Sequence, residues 1–274
     1  MTTSNEILLA SDFTPRSDLP QKQAMMLAQA MGAALVIAHV FDKHTAVEAE
    51  AGEVTDFRRS LPESLKHCEV ITARGRAPHE LAHLAEARSS RLIVTGVARH
   101  NSLGDEILGT MVDYLVRRAP VPVLVVKRDE RLYQNIVVAT DYSPPSLQAL
   151  LMAAEMFPHA SFTLVHAFSI PFESWISSDE ALAEFRKMAE DDMEKFMSSE
   201  LITQALRSRL RTVVAHGESG SIVSLQVIVS DADLLVLASN GRSALFHAAI
   251  GSISAALLER AKCDVLMVRA GKPK

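Results

Sequence analysis

Apolar residues in this chain gather in short blocks of strand length, separated by longer stretches where they recur at helical spacing. The first block, Ile7-Leu8-Leu9-Ala10, runs into Ser11-Asp12 and a Thr14-Pro15 turn. Beyond the turn, Ala24, Leu27, Ala28 and Met31 fall on one helical face. The next block, Ala34–Val40, carries His39 near its end. The segment Thr72-Ala73-Arg74-Gly75, the block Leu92–Thr95 and the valine-rich Val121–Val126 complete the set. Near-continuous apolar runs of this length fit strands buried on both faces, and strands alternating with helices call for right-handed crossovers and a parallel sheet.

The pattern then starts again. Ile136-Val137-Val138-Ala139-Thr140-Asp141 repeats the opening strand, and Ser143-Pro144 repeats the turn. Leu147, Leu150, Leu151 and Ala154 repeat the helical face. Phe162–Ala167 with His166, Val214-Ala215-His216-Gly217, Leu234–Leu237 and Val265–Val268 follow in the same order. Gly75 to Gly96 spans 21 residues, and so does Gly217 to Ala238. The length difference is confined to one place, because His39 to Gly75 spans 36 residues and His166 to Gly217 spans 51. The added stretch, Asp179–Leu206, is polar and amphipathic and reads as a longer second helix. The chain is therefore expected to hold two domains, residues 1–128 and 132–274, joined at the charged run Lys127-Arg128-Asp129-Glu130-Arg131.

Composition narrows the class without changing this picture. Of 274 residues, 48% are apolar and 22% charged, as in ordinary globular chains, so disordered and fibrous classes drop out. A net charge of −5 argues against general affinity for nucleic acid or an anionic membrane. No apolar run approaches membrane-spanning length, and the N-terminus shows no basic region before its apolar stretch. Cys68 and Cys263 stand far apart and suit two thiols in a reducing compartment. A cytoplasmic location is expected.

In an open parallel sheet the ligand crevice lies at the carboxyl ends of the strands, where strand order reverses. Asp12 and Asp141 follow the first strand of each half. A glycine-bearing loop follows each fourth strand: Gly96 to Gly109-Thr110 in the first half, Ala238 to Gly251-Ser252 in the second. These loops resemble the universal stress protein family, whose ATP-binding members carry Gly, two residues, Gly, nine residues, then Gly followed by Ser or Thr. The second half matches at Gly241, the nine-residue spacer, Gly251 and Ser252, with Ala238 in place of the first glycine. The first half matches at Gly96, the spacer, Gly109 and Thr110, with Arg99 in place of the second. The closing Arg118-Ala119-Pro120-Val121-Pro122-Val123-Leu124-Val125-Val126 is similar to that family's last helix end and strand.

The resemblance covers nearly the whole chain, twice. It implies two tandem flavodoxin-like or Rossmann-like α/β domains, each a five-stranded parallel sheet with helices on both faces. It also implies a stress-response regulator or sensor that binds ATP or another adenine nucleotide, with Mg accompanying it, and that is not a conventional enzyme. The residues carried over are Ala139, Thr140, Asp141, His166, Ala238, Asn240, Gly241, Arg242, Gly251, Ser252 and Ile253 in the second half. In the first half they are Ala10, Ser11, Asp12, Val40, Gly96, Arg99, Gly109 and Thr110. Glycines let backbone N–H groups approach phosphate oxygens, and a helix opening at Gly-Ser/Thr offers free N–H groups and a favourable dipole. By the same resemblance the halves are expected to pair as a pseudo-dimer, and two chains to form a homodimer.

Other readings remain. An Asp after a strand is often a helix cap, so either half can be a degenerate, partner-binding module without nucleotide. His79-Glu80-Leu81-Ala82-His83 satisfies H-E-x-x-H, the string of zinc hydrolases, but Pro78 places the helix start at the motif, and the second half has Ser221, Ile222 and Leu225 there. His39 and His166 read as packed, hydrogen-bonded side chains, and Met25, Met26 and Met31 as core filler.

Overall fold

A computed structural model describes residues 5–97, 110–170, 179–239 and 250–269. The chain divides into two compact units, Met1–Leu132 and Tyr133–Lys274. Among the described residues no helix is long and apolar enough to cross a membrane.

In the first unit the order is β1 (Glu6–Ala10), α1 (Asp18–Met31), β2 (Ala34–Phe41), α2 (Val47–Ser60), β3 (Glu69–Arg74), α3 (Ala77–Ala87), β4 (Leu92–Gly96), α4 (Thr110–Arg118) and β5 (Val123–Val126). The strands lie side by side as β3-β2-β1-β4-β5, all parallel. Order reverses between β1 and β4. With right-handed crossovers this puts α1 and α2 on one face and α3 and α4 on the other. Ile7, Leu8, Leu9, Ile37, Ile93 and Leu124 are fully shielded from solvent, as strands covered on both faces require.

The second unit repeats the plan with β6 (Asn135–Ala139), α5 (Pro144–Met156), β7 (Ser161–Phe168), α6 (Asp179–Met197), α7 (Gln204–Arg207), β8 (Leu210–His216), α8 (Ser219–Val229), β9 (Leu234–Ala238), α9 (Ser252–Arg260) and β10 (Asp264–Val268). Its strands lie as β8-β7-β6-β9-β10, again all parallel. The tandem α/β architecture expected from the pattern is the architecture present.

Local chemistry adjusts the expected boundaries. The valine-rich strand begins at Val123 because Pro122 has no N–H to give a ladder; its carbonyl instead accepts from Ile93. The long polar helix ends at Met197, not Leu206. There Ser198 Oγ donates to the Lys195 carbonyl, Arg207 donates to the Ser199 carbonyl, and Thr203 caps the separate α7, so the backbone finds polar partners outside a continued helix. Met25, Met26 and Met31 are half-buried, not core. The repeated glycines Gly75 and Gly217 sit at φ 145° and 143°, immediately after β3 and β8, where a side chain would be strained.

Charge is managed at the other end of the first sheet. Buried Glu6 accepts from Arg88 and from Ser90 Oγ at 2.8 Å, and Arg88 also reaches Glu69 at 2.7 Å. The hydrogen bonds from Arg88 to Glu6 and then to Glu69 raise the guanidinium further above its ordinary range. In the second unit buried Asp264 accepts a 2.7 Å bond from Tyr133.

Candidate functional site

Each unit has a crevice at its strand reversal, and each is built on the same turn. In the first, Ser11 Oγ accepts from the Phe13 N–H at 3.1 Å, and in the second Thr140 Oγ1 accepts from the Tyr142 N–H at 3.0 Å. These bonds hold Phe13 and Tyr142 at φ 59° and 62°, a left-handed conformation unusual for aromatic residues. Each aromatic ring thereby lies against the histidine of the second strand. Phe13 stacks on His39 at 4.1 Å between centroids, and Tyr142 on His166 at 4.0 Å. The histidines are fixed from below as well: Nδ1 lies 2.8 Å from the Ser11 carbonyl in one and 2.9 Å from the Thr140 carbonyl in the other. A carbonyl oxygen can only accept, so Nδ1 is the donor in each pairing.

The aspartates are partly committed. Asp12 Oδ1 accepts from the Thr14 N–H at 3.0 Å, Thr14 Oγ1 at 2.7 Å and Ser17 Oγ at 2.8 Å. Burial acts to raise the Asp12 carboxyl, but the hydrogen bonds from Thr14 and Ser17 outweigh it and hold the group below its ordinary value. Asp141 Oδ1 accepts from the N–H and the hydroxyl of Ser143, the N-cap of α5.

Beyond this shared frame the crevices differ. The second has a volume of about 300 Å³ and is lined by Ala139, Thr140, Asp141, His166, Ala238, Gly251, Ser252 and Ile253 among others, so the expected residues that the structure describes come together there. The hydroxyls of Ser146, Ser219 and Ser254 and the apolar Val165, Val223 and Leu257 also line it, and these were not singled out in the sequence. Ser146 was recoverable, because it follows Asp141 by the same interval as Ser17 follows Asp12. Asn240, Gly241 and Arg242 lie outside the described residues.

Helix α9 opens onto this crevice. Its N-cap, Gly251, supplies no side-chain cap, so the first-turn N–H groups receive no bond from the capping residue. A Cβ built at Gly251 meets nothing nearer than Ser254 Oγ at 4.0 Å, and its φ of −62° is open to any residue. Among the described residues, neither packing nor backbone strain therefore demands glycine at this position.

The first crevice measures about 170 Å³. Ala10, Ser11, Asp12, Val40 and Gly96 line it together with Arg16, Ser17, Pro20 and Met111. A third ring narrows its surroundings, since Phe13 also stacks on Phe57 of α2 at 3.9 Å. Thr110 opens α4, while Arg99 and Gly109 lie outside the described residues. Gly96 differs in kind from Gly251, because a Cβ there would lie 3.3 Å from Pro20 Cγ. At the place of Pro20 the second half has Ala149, and at the place of Gly96 it has Ala238. The departure at Ala238 thus has a packing counterpart.

The H-E-x-x-H string lies at the start of α3, with Pro78 in its first turn. His79 and His83 are exposed, and His79 Nδ1 pairs with the Tyr114 hydroxyl at 3.1 Å. Among the described residues no group of three or more His, Cys, Asp or Glu side chains is placed to hold a metal. Both cysteines are buried and neither forms a disulfide, and burial pushes the Cys68 thiol up.

Comparison with known proteins agrees with this architecture. The model of the universal stress protein family matches residues 4–127 and again residues 132–269. The chain belongs to the universal stress protein family. A family member from Methanocaldococcus jannaschii is 26% identical over 159 residues, covering 55% of this chain and 89% of that protein. One from Mycobacterium bovis is 27% identical over 198 residues, covering 67% of this chain and 60% of its own length. The solved structure of a universal stress protein from Archaeoglobus fulgidus superposes with a TM-score of 0.68 at 16% identity, covering 98% of this chain and all of the other. A functionally unknown protein from Pseudomonas aeruginosa gives 0.65 at 18% identity, over 97% and 92% of the two chains. At these identities the likeness is one of fold.

Proposed function

We propose that the second half binds an adenine nucleotide such as ATP, and that the protein acts as a stress-response sensor whose output is a change of conformation or partner. The observation that carries this reading is the start of α9, without a side-chain cap from Gly251, facing a ligand-sized crevice, with space among the described residues where Gly251 lacks a side chain. A volume of about 300 Å³ reaches the lower end of the ~300–1,000 Å³ typical of small-molecule sites. The first-turn N–H groups and the Ser252 hydroxyl suit phosphate oxygens. Asp141, the end of β7 and His166 would hold the nucleoside. Hydroxyls, one carboxylate and one imidazole line the described wall, without a nucleophile–base pair, which favours binding over turnover. Magnesium we assign to the phosphates and not to a protein-made cage. We further propose that two chains associate, which light scattering in solution tests.

The decisive experiment identifies nucleotide released from the purified protein and titrates ATP into wild type beside Gly251→Asp. The variant sets a carboxylate in the open space at the start of α9. ATP binding that falls at least 100-fold in the variant supports the site. A wild type that neither retains nor binds nucleotide replaces this reading with that of a partner-binding module.

A further inference from the structure

Nucleotide binding leaves the H-E-x-x-H string without a role, and α3 sorts its side chains onto different sides. The helix is regular from its first turn, because the N–H groups of His79 and Glu80 both donate to the Arg76 carbonyl, at 2.9 and 3.1 Å. Pro78 therefore starts the helix without breaking it, and His79 and His83 lie one turn apart on one exposed face. Ala77 and Leu81, which line the first crevice, are two residues out of step with them and so lie on the opposite side. Glu80 turns back toward the strand. Its Oε1 is 2.9 Å from the Cβ position of Gly75, where Ile222 packs beside Gly217 in the second half. The glutamate thus does the work of an apolar side chain over a strand-end glycine, and the general base of a zinc hydrolase is missing from the histidine face.

The second half shows that the fold asks for none of these polar groups. Ser221 and Leu225 of α8 stand where α3 has its two histidines, and Ala256 of α9 stands where α4 has Tyr114. In the first half Tyr114 orients His79. Its hydroxyl lies 3.1 Å from Nδ1, and the two rings are tilted by 31° with centroids 4.3 Å apart. A neutral imidazole that ligates through Nε2 carries its proton on Nδ1, and the Tyr114 oxygen is placed to accept it. No described residue bonds to Nε2 of His79 or to either ring nitrogen of His83. A cation near a helix N-terminus opposes the helix dipole, and Glu80, the acidic residue of that first turn, offsets this.

We propose that His79 and His83 form a two-imidazole chelate for a divalent transition ion of the zinc, nickel or copper type, with Tyr114 as a positioning residue. Two histidines four apart on a helix have the spacing that zinc sites use, and imidazole suits these ions where magnesium and calcium take oxygen. Only two ligands come from the described residues of this chain. Water or donors from another molecule complete the coordination, so the ion is exchangeable, unlike the ion of a closed four-ligand site. Binding ties the first turn of α3 to the second without touching either crevice.

Calorimetric titration of the untagged full chain with Zn²⁺, after removal of metal and nucleotide, tests this. One equivalent is expected to bind, although the chain has ten histidines. His79→Gln and His83→Gln should each weaken zinc about ten-fold or more. His159→Gln, at an exposed histidine outside any helix, should leave zinc binding unchanged. Cu²⁺ should bind more tightly than Zn²⁺, and excess Mg²⁺ should not compete. Electron paramagnetic resonance of bound copper should show two ligating nitrogens in wild type and one in each glutamine variant. Tyr114→Phe should weaken zinc about ten-fold with both nitrogens retained, the mark of a positioning role. Absence of saturable zinc binding, or an affinity unchanged in either His79→Gln or His83→Gln, overturns the assignment, and ATP binding by the second crevice then still stands. Because both histidines are exposed, their metal-free variants should melt within about 2 °C of wild type, which separates lost binding from lost fold.

Discussion

The two crevices are built on one turn and finished differently. In both, an aromatic residue is held at positive φ by a hydroxyl two residues earlier and pressed against a histidine whose Nδ1 meets a backbone carbonyl. In the first half that ring is Phe13, stacked on both faces, and the crevice is about 170 Å³. In the second it is Tyr142, whose hydroxyl donates to the Ala189 carbonyl of α6 at 2.9 Å, and the crevice is about 300 Å³. Duplication has preserved the hydrogen-bonded frame, because losing any part of it would release a strained backbone. The walls differ between the halves, and with them the volume each crevice encloses.

The largest effect expected from testing this contrast lies at Gly96. Its Cβ would crowd Pro20, so Gly96→Ala should destabilise the first half by about 1–3 kcal/mol, the usual cost of overpacking. Pro20→Ala should recover much of that loss in the same chain, because it recreates the Ala149 and Ala238 combination of the second half. Denaturant unfolding of the two single variants and the double variant measures the coupling. Additive effects would sever the two positions and leave Ala238 without its packing explanation.

Much of this architecture was legible in the sequence. The apolar blocks located the strands, since a strand buried on both faces has no polar alternation to blur it. Aligning the halves located the crevices, because equal intervals place equivalent residues at equivalent strand ends. The contribution of Phe57 was hidden, as α2 and α6 differ in length and no repeat constrains them. The strained conformation of Phe13 and Tyr142 was hidden too, because propensity places neither residue at positive φ. The pairing of Gly96 with Pro20 was present as a joint change between the halves, but a glycine in a phosphate-binding pattern invites a ligand explanation before a packing one.

A smaller effect separates the two aromatic residues. Tyr142→Phe makes the second turn resemble the first and removes the bond to Ala189, leaving that carbonyl without its side-chain donor. A loss of about 1 kcal/mol is expected, with the stacking on His166 retained. Phe13→Tyr should not bring an equal gain, since Phe13 packs on Phe57 instead of reaching a helix carbonyl. The thermal midpoints of the two variants check the asymmetry, and a matching gain in Phe13→Tyr would remove it.

The smallest effect is a pH dependence. Asp12 sits below its ordinary carboxyl value in the folded protein because Thr14 and Ser17 donate to its ionised form. Such a group stabilises the fold above the carboxyl value of the unfolded chain, and the contribution disappears as pH falls through the lower, folded value. Asp12→Asn should therefore be less stable than wild type at neutral pH, with the deficit shrinking on acidification until the two converge. Because Asp12 is exposed, solvent screens its charge and the deficit should be modest. Asp141→Asn offers the matched measurement in the second half, where Ser143 supplies both an N–H and a hydroxyl to the carboxylate. A deficit in Asp12→Asn that persists unchanged into acid would mean that the turn depends on the shape of the side chain and not on its charge, and the frame shared by the two halves would then be steric.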